Sequence, residues 1–161
     1  MILRRIGLIF FLCTGLVFAQ DDSFDWQALG EKTYGTCTGC HQSNGQGLPG
    51  IFPGLAGHVP NIMAKEDGRS YLIHVLLYGL RGEISVLGQK ANGEMPMWSS
   101  MSDEQLAAVL NYVLHSWDND ALLPEDFVPI MPAEIAAERD QGLSANDVYA
   151  LREVLGLSAE E

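Results

Sequence analysis

Cys37, Cys40 and His41 form the pattern C-x-x-C-H within Cys37-Thr38-Gly39-Cys40-His41. Two thiols three positions apart in a helical turn are spaced to form thioether bonds with the two vinyl groups on one edge of a haem. The adjacent imidazole is then carried beneath the ring, within reach of the iron. Two other chemistries use paired cysteines. A thioredoxin-like dithiol needs a βαβ setting, and no such pattern surrounds these residues. A closed zinc site needs four Cys or His ligands. The third cysteine, Cys13, lies in a segment expected to be removed. The adjacent histidine and the export signal both favour haem.

A low-spin, electron-carrying haem needs a sixth ligand, and a thioether on the far face raises its potential. Met95, in Glu94-Met95-Pro96-Met97-Trp98, is the expected donor, because it precedes a proline and leads directly towards a helix. Met97 is its main competitor. Met63, Met101 and Met131 are others, although buried methionines more often fill space than bind metal. Met131-Pro132 repeats the dipeptide but lies beyond the closing helix. His58, His74 and His115 are expected to be solvated or hydrogen-bonded, and His58 is kept as a secondary ligand candidate.

Several elements must position these donors. Residues 1–19 read as a secretory signal, with Arg4 and Arg5 before an apolar run and Val17-Phe18-Ala19 at the cleavage point. The run is short for a membrane span, which needs about 20 apolar residues. No span is expected in the mature chain, and the location is expected to be periplasmic. A helix over 25–36 is predicted from Trp26, Leu29, Gly30 and Thr33, which continue in register to Cys37; Asp22, Ser23 or Asp25 would cap it. Gly30 inside a helix costs about 1 kcal/mol against alanine. Its presence therefore predicts close approach of another helix.

After His41 the turn residues are dense: Ser43-Asn44-Gly45-Gln46-Gly47, Pro49-Gly50, then Phe52-Pro53-Gly54-Leu55-Ala56-Gly57. Phe52 and Leu55 are expected to cover a face of the ring. The glycines are no phosphate loop, since no strand leads in and no G-K-[ST] follows. A helix over 67–80, an extended run over 84–87 and a turn at Asn92-Gly93 come next. Ser102 with Gln105 forms a capping box. Leu106, Val109, Leu110, Val113, Leu114 and Trp117 follow as one helical stripe.

The chain resembles the class I c-type cytochromes in Gly30…Tyr34…Cys37-x-x-Cys40-His41, in Pro53-x-Leu55-x-Gly57, in the Asn92-Gly93-x-Met95-Pro96 segment and in the closing helix. The resemblance covers residues 25–118. It departs at Ala91, where many relatives carry tyrosine. It implies an all-α fold, with crossing N- and C-terminal helices around one covalently bound haem c. It also implies that the Pro53 carbonyl orients His41, and that Gly30 and Tyr34 meet the face around Val109 and Tyr112.

The domain expectation is a cytochrome c domain over 20–120 and a C-terminal helical extension over 121–161. The extension is read as a surface connection over 118–132, a short helix over 133–139 and a second helix capped by Ser144. That last helix carries Val148, Leu151, Arg152 and Leu155 on one face, and Gly156 closes it. The extension either packs on its own domain or docks a partner. Its pattern resembles the ending of cytochrome subunits of bacterial oxidoreductases.

About 140 residues after cleavage suit one domain. The net charge of −12 excludes nucleic acid as a partner, because phosphates would repel it; a basic partner surface is compatible. The expected function is one-electron transfer outside the cytoplasmic membrane, with no catalysis of its own. The chain would serve as a free shuttle or as a subunit of an oxidoreductase, with a periplasmic dehydrogenase, reductase or terminal oxidase as partner. The alternative is a haem protein with an open or labile sixth site that catalyses a reaction or binds a gas. A third reading, a purely structural subunit, is distinguished by its midpoint potential.

Overall fold

The structure is a computed structural model and describes residues 24–157. The signal expected over 1–19 lies outside that range, as do the cap candidates Asp22 and Ser23. The first helix, α1 (Gln27–Tyr34), is shorter than its periodicity suggests, and Trp26 takes the cap position with no side-chain cap bond from Asp25 or any neighbour. Past Tyr34 the bonds tighten to i→i−3, Thr36 N–H to Thr33 and Cys37 N–H to Tyr34. This breaks the helix before α2 (Thr38–His41). Cys37 is therefore off the α1 stripe and stands at the cap of its own turn.

Two short elements were not legible in the sequence. One is α3 (Val59–Met63), with proline in its first turn, where no N–H partner is lost. The other is β2 (Gln89–Ala91), which pairs antiparallel with β1 (Ile84–Val86). Leu87 and Gly88 both have positive φ, 49° and 74°, the two-residue turn whose twist matches the strands. Between α3 and the hairpin runs α4 (Gly68–Tyr78), largely buried along its length.

The closing helix α5 (Asp103–His115) begins with the expected Ser102–Gln105 capping box. It ends two residues before Trp117, because Trp117 and Asp118 both adopt left-handed backbone at 57° and 63°. Trp117 is thereby turned off the helical stripe. Its ring packs on Gly45, and its Nε1–H donates to the Ser43 carbonyl at 3.2 Å.

Helices α1 and α5 cross in direct contact. A β-carbon on Gly30 would overlap the Ala108 carbonyl oxygen and lie 2.7 Å from Tyr112 Cβ. The costly glycine thus has its packing reason, against Tyr112 as expected and against Ala108, the neighbour of Val109. Tyr34, Tyr112 and Trp117 cluster beside this crossing, with ring centroids 5.2–6.3 Å apart.

Residues beyond α5 wrap back over the protein. Helices α6 (Pro132–Glu138) and α7 (Ala145–Val154) carry Ile135 and Val148, both fully buried, as are Ile130 and Leu157 nearby. Each such side chain contributes about 2 kcal/mol. Polar clasps fix the path. Asn111 exchanges two 2.8 Å bonds with the Ile130 backbone. Arg69 grips Glu134 through two nitrogens at 2.6 and 2.8 Å, and also the carbonyls of Val128 and Pro129.

Candidate haem site

The break between α1 and α2 aims Cys37, Cys40 and His41 into one cleft that opens to solvent. The Tyr34 hydroxyl donates to the Gln42 carbonyl at 2.7 Å and holds the end of α2. Burial, with Cys37 beside it, pushes the Tyr34 hydroxyl's pKa up. Burial first and Cys40 second push the Cys37 thiol up to about 11, so that it is protonated at neutral pH.

His41 is 8% exposed. Its Nδ1 lies 3.0 Å from the Pro53 carbonyl oxygen. A carbonyl only accepts, so Nδ1 carries the hydrogen and Nε2 keeps its lone pair. Burial lowers the His41 pKa, and the Pro53 carbonyl partly offsets that. The Pro53 loop is itself held. Leu55 and Ala56 N–H donate to the Gly45 carbonyl, and Gly47 N–H to that of His41. Asn119, fully buried, accepts from Gly57 N–H at 2.7 Å and donates to the Val113 carbonyl at 2.7 Å and the Leu55 carbonyl at 3.4 Å. Asn119 is a positioning residue that sequence reasoning missed, because nothing local marks a partner 62 positions away.

Met95 lines the same cleft. Its backbone pairs with Leu80 in both directions, at 2.9 and 3.0 Å. Gly79 permits this approach: a β-carbon there would lie 2.5 Å from the Met95 carbonyl oxygen. Met97 does not line the cleft and is 61% exposed. Met63 is packed in the core and Met131 lies with Arg69 and Glu134 in a separate groove. After Met97 the chain is clamped by Arg139, which donates to the carbonyls of Ser99 and Met101 and pairs with Asp103 at 2.6 Å.

The three other histidines divide. His115 Nδ1 bonds the Asn111 carbonyl at 2.7 Å, and His74 Nε2 bonds Glu138 at 2.8 Å. His74 and His58 are buried rather than solvated. His58 does line the cleft, and burial, then Arg152, lowers its pKa to about 4.

The cleft's other walls are apolar, with Phe52, Leu55, Val59, Ile62, Leu72, Val75 and Trp98 among them. Phe52 and Leu55, expected to cover a ring face, both line this cleft. Two thiols, an imidazole with its other nitrogen occupied and a thioether all face one greasy slot. That donor set fits a flat, apolar macrocycle with a soft metal centre, and among the described residues no cluster of His, Cys, Asp and Glu suits a bare metal ion.

Comparisons with known proteins agree. The family model "Cytochrome c" matches residues 27–117. A cytochrome c-552 of Thermus thermophilus is 47% identical over 155 residues, 96% of this chain and 99% of its own length. A second cytochrome c-552 of the same species is 51% identical over 131 residues, 81% of this chain and 99% of that one. The gluconate 2-dehydrogenase cytochrome c subunit of Pantoea cypripedii is 33% identical over 115 residues, 65% of this chain and 25% of that longer protein.

Proposed function

The chain belongs to the cytochrome c family and is a monohaem electron carrier with covalently bound haem c; from that premise we propose that Cys37 and Cys40 anchor the haem, and that His41 and Met95 are its axial ligands. Bound haem iron supplies a one-electron couple. The protein's residues do the rest. The Pro53 carbonyl holds the His41 tautomer and ring orientation, which raises the basicity of Nε2. The pairing of Met95 with Leu80 fixes the thioether's backbone on both sides. Apolar walls exclude water, so little solvent reorganises when the charge changes. A cleft open to solvent leaves one edge accessible to a partner.

The chain transfers electrons without a reaction of its own, in this proposal, and works outside the cytoplasmic membrane after removal of residues 1–19. Residues 20–120 form the carrier domain in this reading and 121–161 its extension, whose described part, 121–157, packs upon it. No described helix is long and apolar enough to cross a membrane. The partner is a redox protein such as a dehydrogenase, reductase or terminal oxidase. Support comes from the relatives' names, which include cytochrome subunits of gluconate and quinone-dependent alcohol dehydrogenases.

The observation that carries the reading is the convergence of Cys37, Cys40, His41 and Met95 on one apolar cleft. The visible spectrum of the reduced holoprotein, with and without carbon monoxide, tests it. An unchanged spectrum means a filled sixth site. A rapid adduct means a vacant or labile one, and would move catalysis or gas binding to the front.

A further inference from the structure

Four arginines lie among the described residues. Arg69, Arg81 and Arg139 each hold a carboxylate, from Glu134, Glu94 and Asp103, at 2.6–2.7 Å. Arg152 is the exception. It is 3% exposed, the most buried of the four, and no ion pair to it is formed among the described residues. The chain has 21 acidic residues to choose from.

The partners Arg152 does have are neutral. Nη1 donates to the Tyr71 hydroxyl at 3.3 Å, and Nη2 donates to the carbonyls of Ser85 at 3.4 Å and Leu157 at 3.0 Å. A guanidinium has five N–H donors and cannot shed its charge. Nε–H and one Nη1–H thus remain without a protein acceptor among the described residues. A buried charge without a counter-charge costs several kcal/mol. Arg152 also lines the haem cleft, beside Tyr71, His58 and Ile84. No described residue supplies the anion, and the cleft that Arg152 lines is where a bound group would.

We propose that Arg152 is the binding site for a haem propionate, so that the C-terminal extension supplies the counter-charge that closes the site and sets its potential. This rests on the haem placement proposed above. A haem carries its two vinyl groups on one side of the macrocycle and its two propionates on the other. α2 supplies the thiols, whereas the hairpin, α4 and α7 supply the polar group. Arg152 presents a fork suited to a carboxylate. The Tyr71 hydroxyl accepts from Arg152, and its own hydrogen is free to donate to the same carboxylate; burial raises its pKa, so it stays protonated. A fixed positive charge here disfavours the ferric form, which has one more positive charge than the ferrous form. The potential is therefore raised.

The test compares holoprotein of the parent, Arg152→Gln, Arg152→Lys and Tyr71→Phe. Haem staining on a denaturing gel comes first. If the parent carries no covalent haem, the haem placement itself fails, whatever Arg152 does. With haem present, midpoint potentials are measured by spectroscopic titration, and urea unfolding is followed in parallel. The expected result is a lower potential in Arg152→Gln, largely restored in Arg152→Lys, and a smaller fall in Tyr71→Phe. Should Arg152→Gln not accumulate, a fall in Tyr71→Phe supports the proposal and an unchanged potential there overturns it. A parental potential in Arg152→Gln, even with weakened urea resistance, overturns it and leaves Arg152 a purely structural clasp.

Discussion

Gly30 and Tyr112 meet where α1 crosses α5, and a β-carbon on Gly30 would sit 2.7 Å from Tyr112 Cβ. It would also overlap the backbone oxygen of Ala108, which cannot rotate away. Gly30→Ala should therefore separate the helices. The gain in helix propensity is about 1 kcal/mol, and overpacking costs about 1–3 kcal/mol. A net loss of up to about 2 kcal/mol is expected in urea unfolding of the holoprotein. A more stable variant would show that the crossing has slack.

Met95 and Met97 separate by exposure, and their variants should separate too. Reduced Met95→Ala should bind carbon monoxide and show a lower midpoint potential, since a thioether ligand raises the potential. Met97→Ala removes a side chain that is 61% exposed, and should leave both properties unchanged and stability within about 0.5 kcal/mol. The reverse pattern would assign the ligand to Met97.

Cys37, Cys40 and His41 stand out in the sequence because attachment chemistry demands adjacent residue types at fixed spacing. Met95 is marked instead by its Met-Pro context, and all four line one cleft. Helices α4 and α5, the capping box at Ser102 and the cap at Ser144 were legible because their signals are local. The rest was set at long range. Trp117 continues the apolar stripe of α5, yet Gly45 and Ser43 draw it out of the helix. Strand β2 is a three-residue segment, Gln89–Ala91, with only Ala91 buried, so no alternation announces it. Arg152 was seen on the apolar face of α7. Nothing local tells that this cation is buried among Val148, Leu151 and Leu155, because its burial is set by Tyr71 and Ser85 far away in the chain.

Asn119 should be one of the costliest polar side chains to remove. Its amide serves the Gly57 N–H and the Val113 and Leu55 carbonyls, tying the Pro53 loop to the end of α5. Asn119→Ala leaves the Gly57 N–H without its partner, at about 1–3 kcal/mol, and takes one donor each from the Val113 and Leu55 carbonyls, which keep backbone donors. A loss of about 2–4 kcal/mol is expected by chemical denaturation of the holoprotein. A loss under about 1 kcal/mol would mean that water replaces the amide without strain.

Glu134 gives the extension a pH-dependent hold on α4. Arg69 binds both its oxygens, and that bond, ahead of a smaller opposing effect of burial, holds the carboxyl below its usual range. The pair is partly solvated, with side-chain exposures of 27% and 36%, so it contributes about 1 kcal/mol. A depressed carboxyl pKa stabilises the fold fully above the unfolded value of about 4.3. That stabilisation is lost as pH falls through the lower folded value. Glu134→Gln should then be about 1 kcal/mol less stable than the parent at pH 7. Urea unfolding across a pH series should show the two converging below the ordinary carboxylate range. A gap that persists unchanged into acid would mean that Glu134 acts through shape and neutral hydrogen bonding, with its charge contributing nothing.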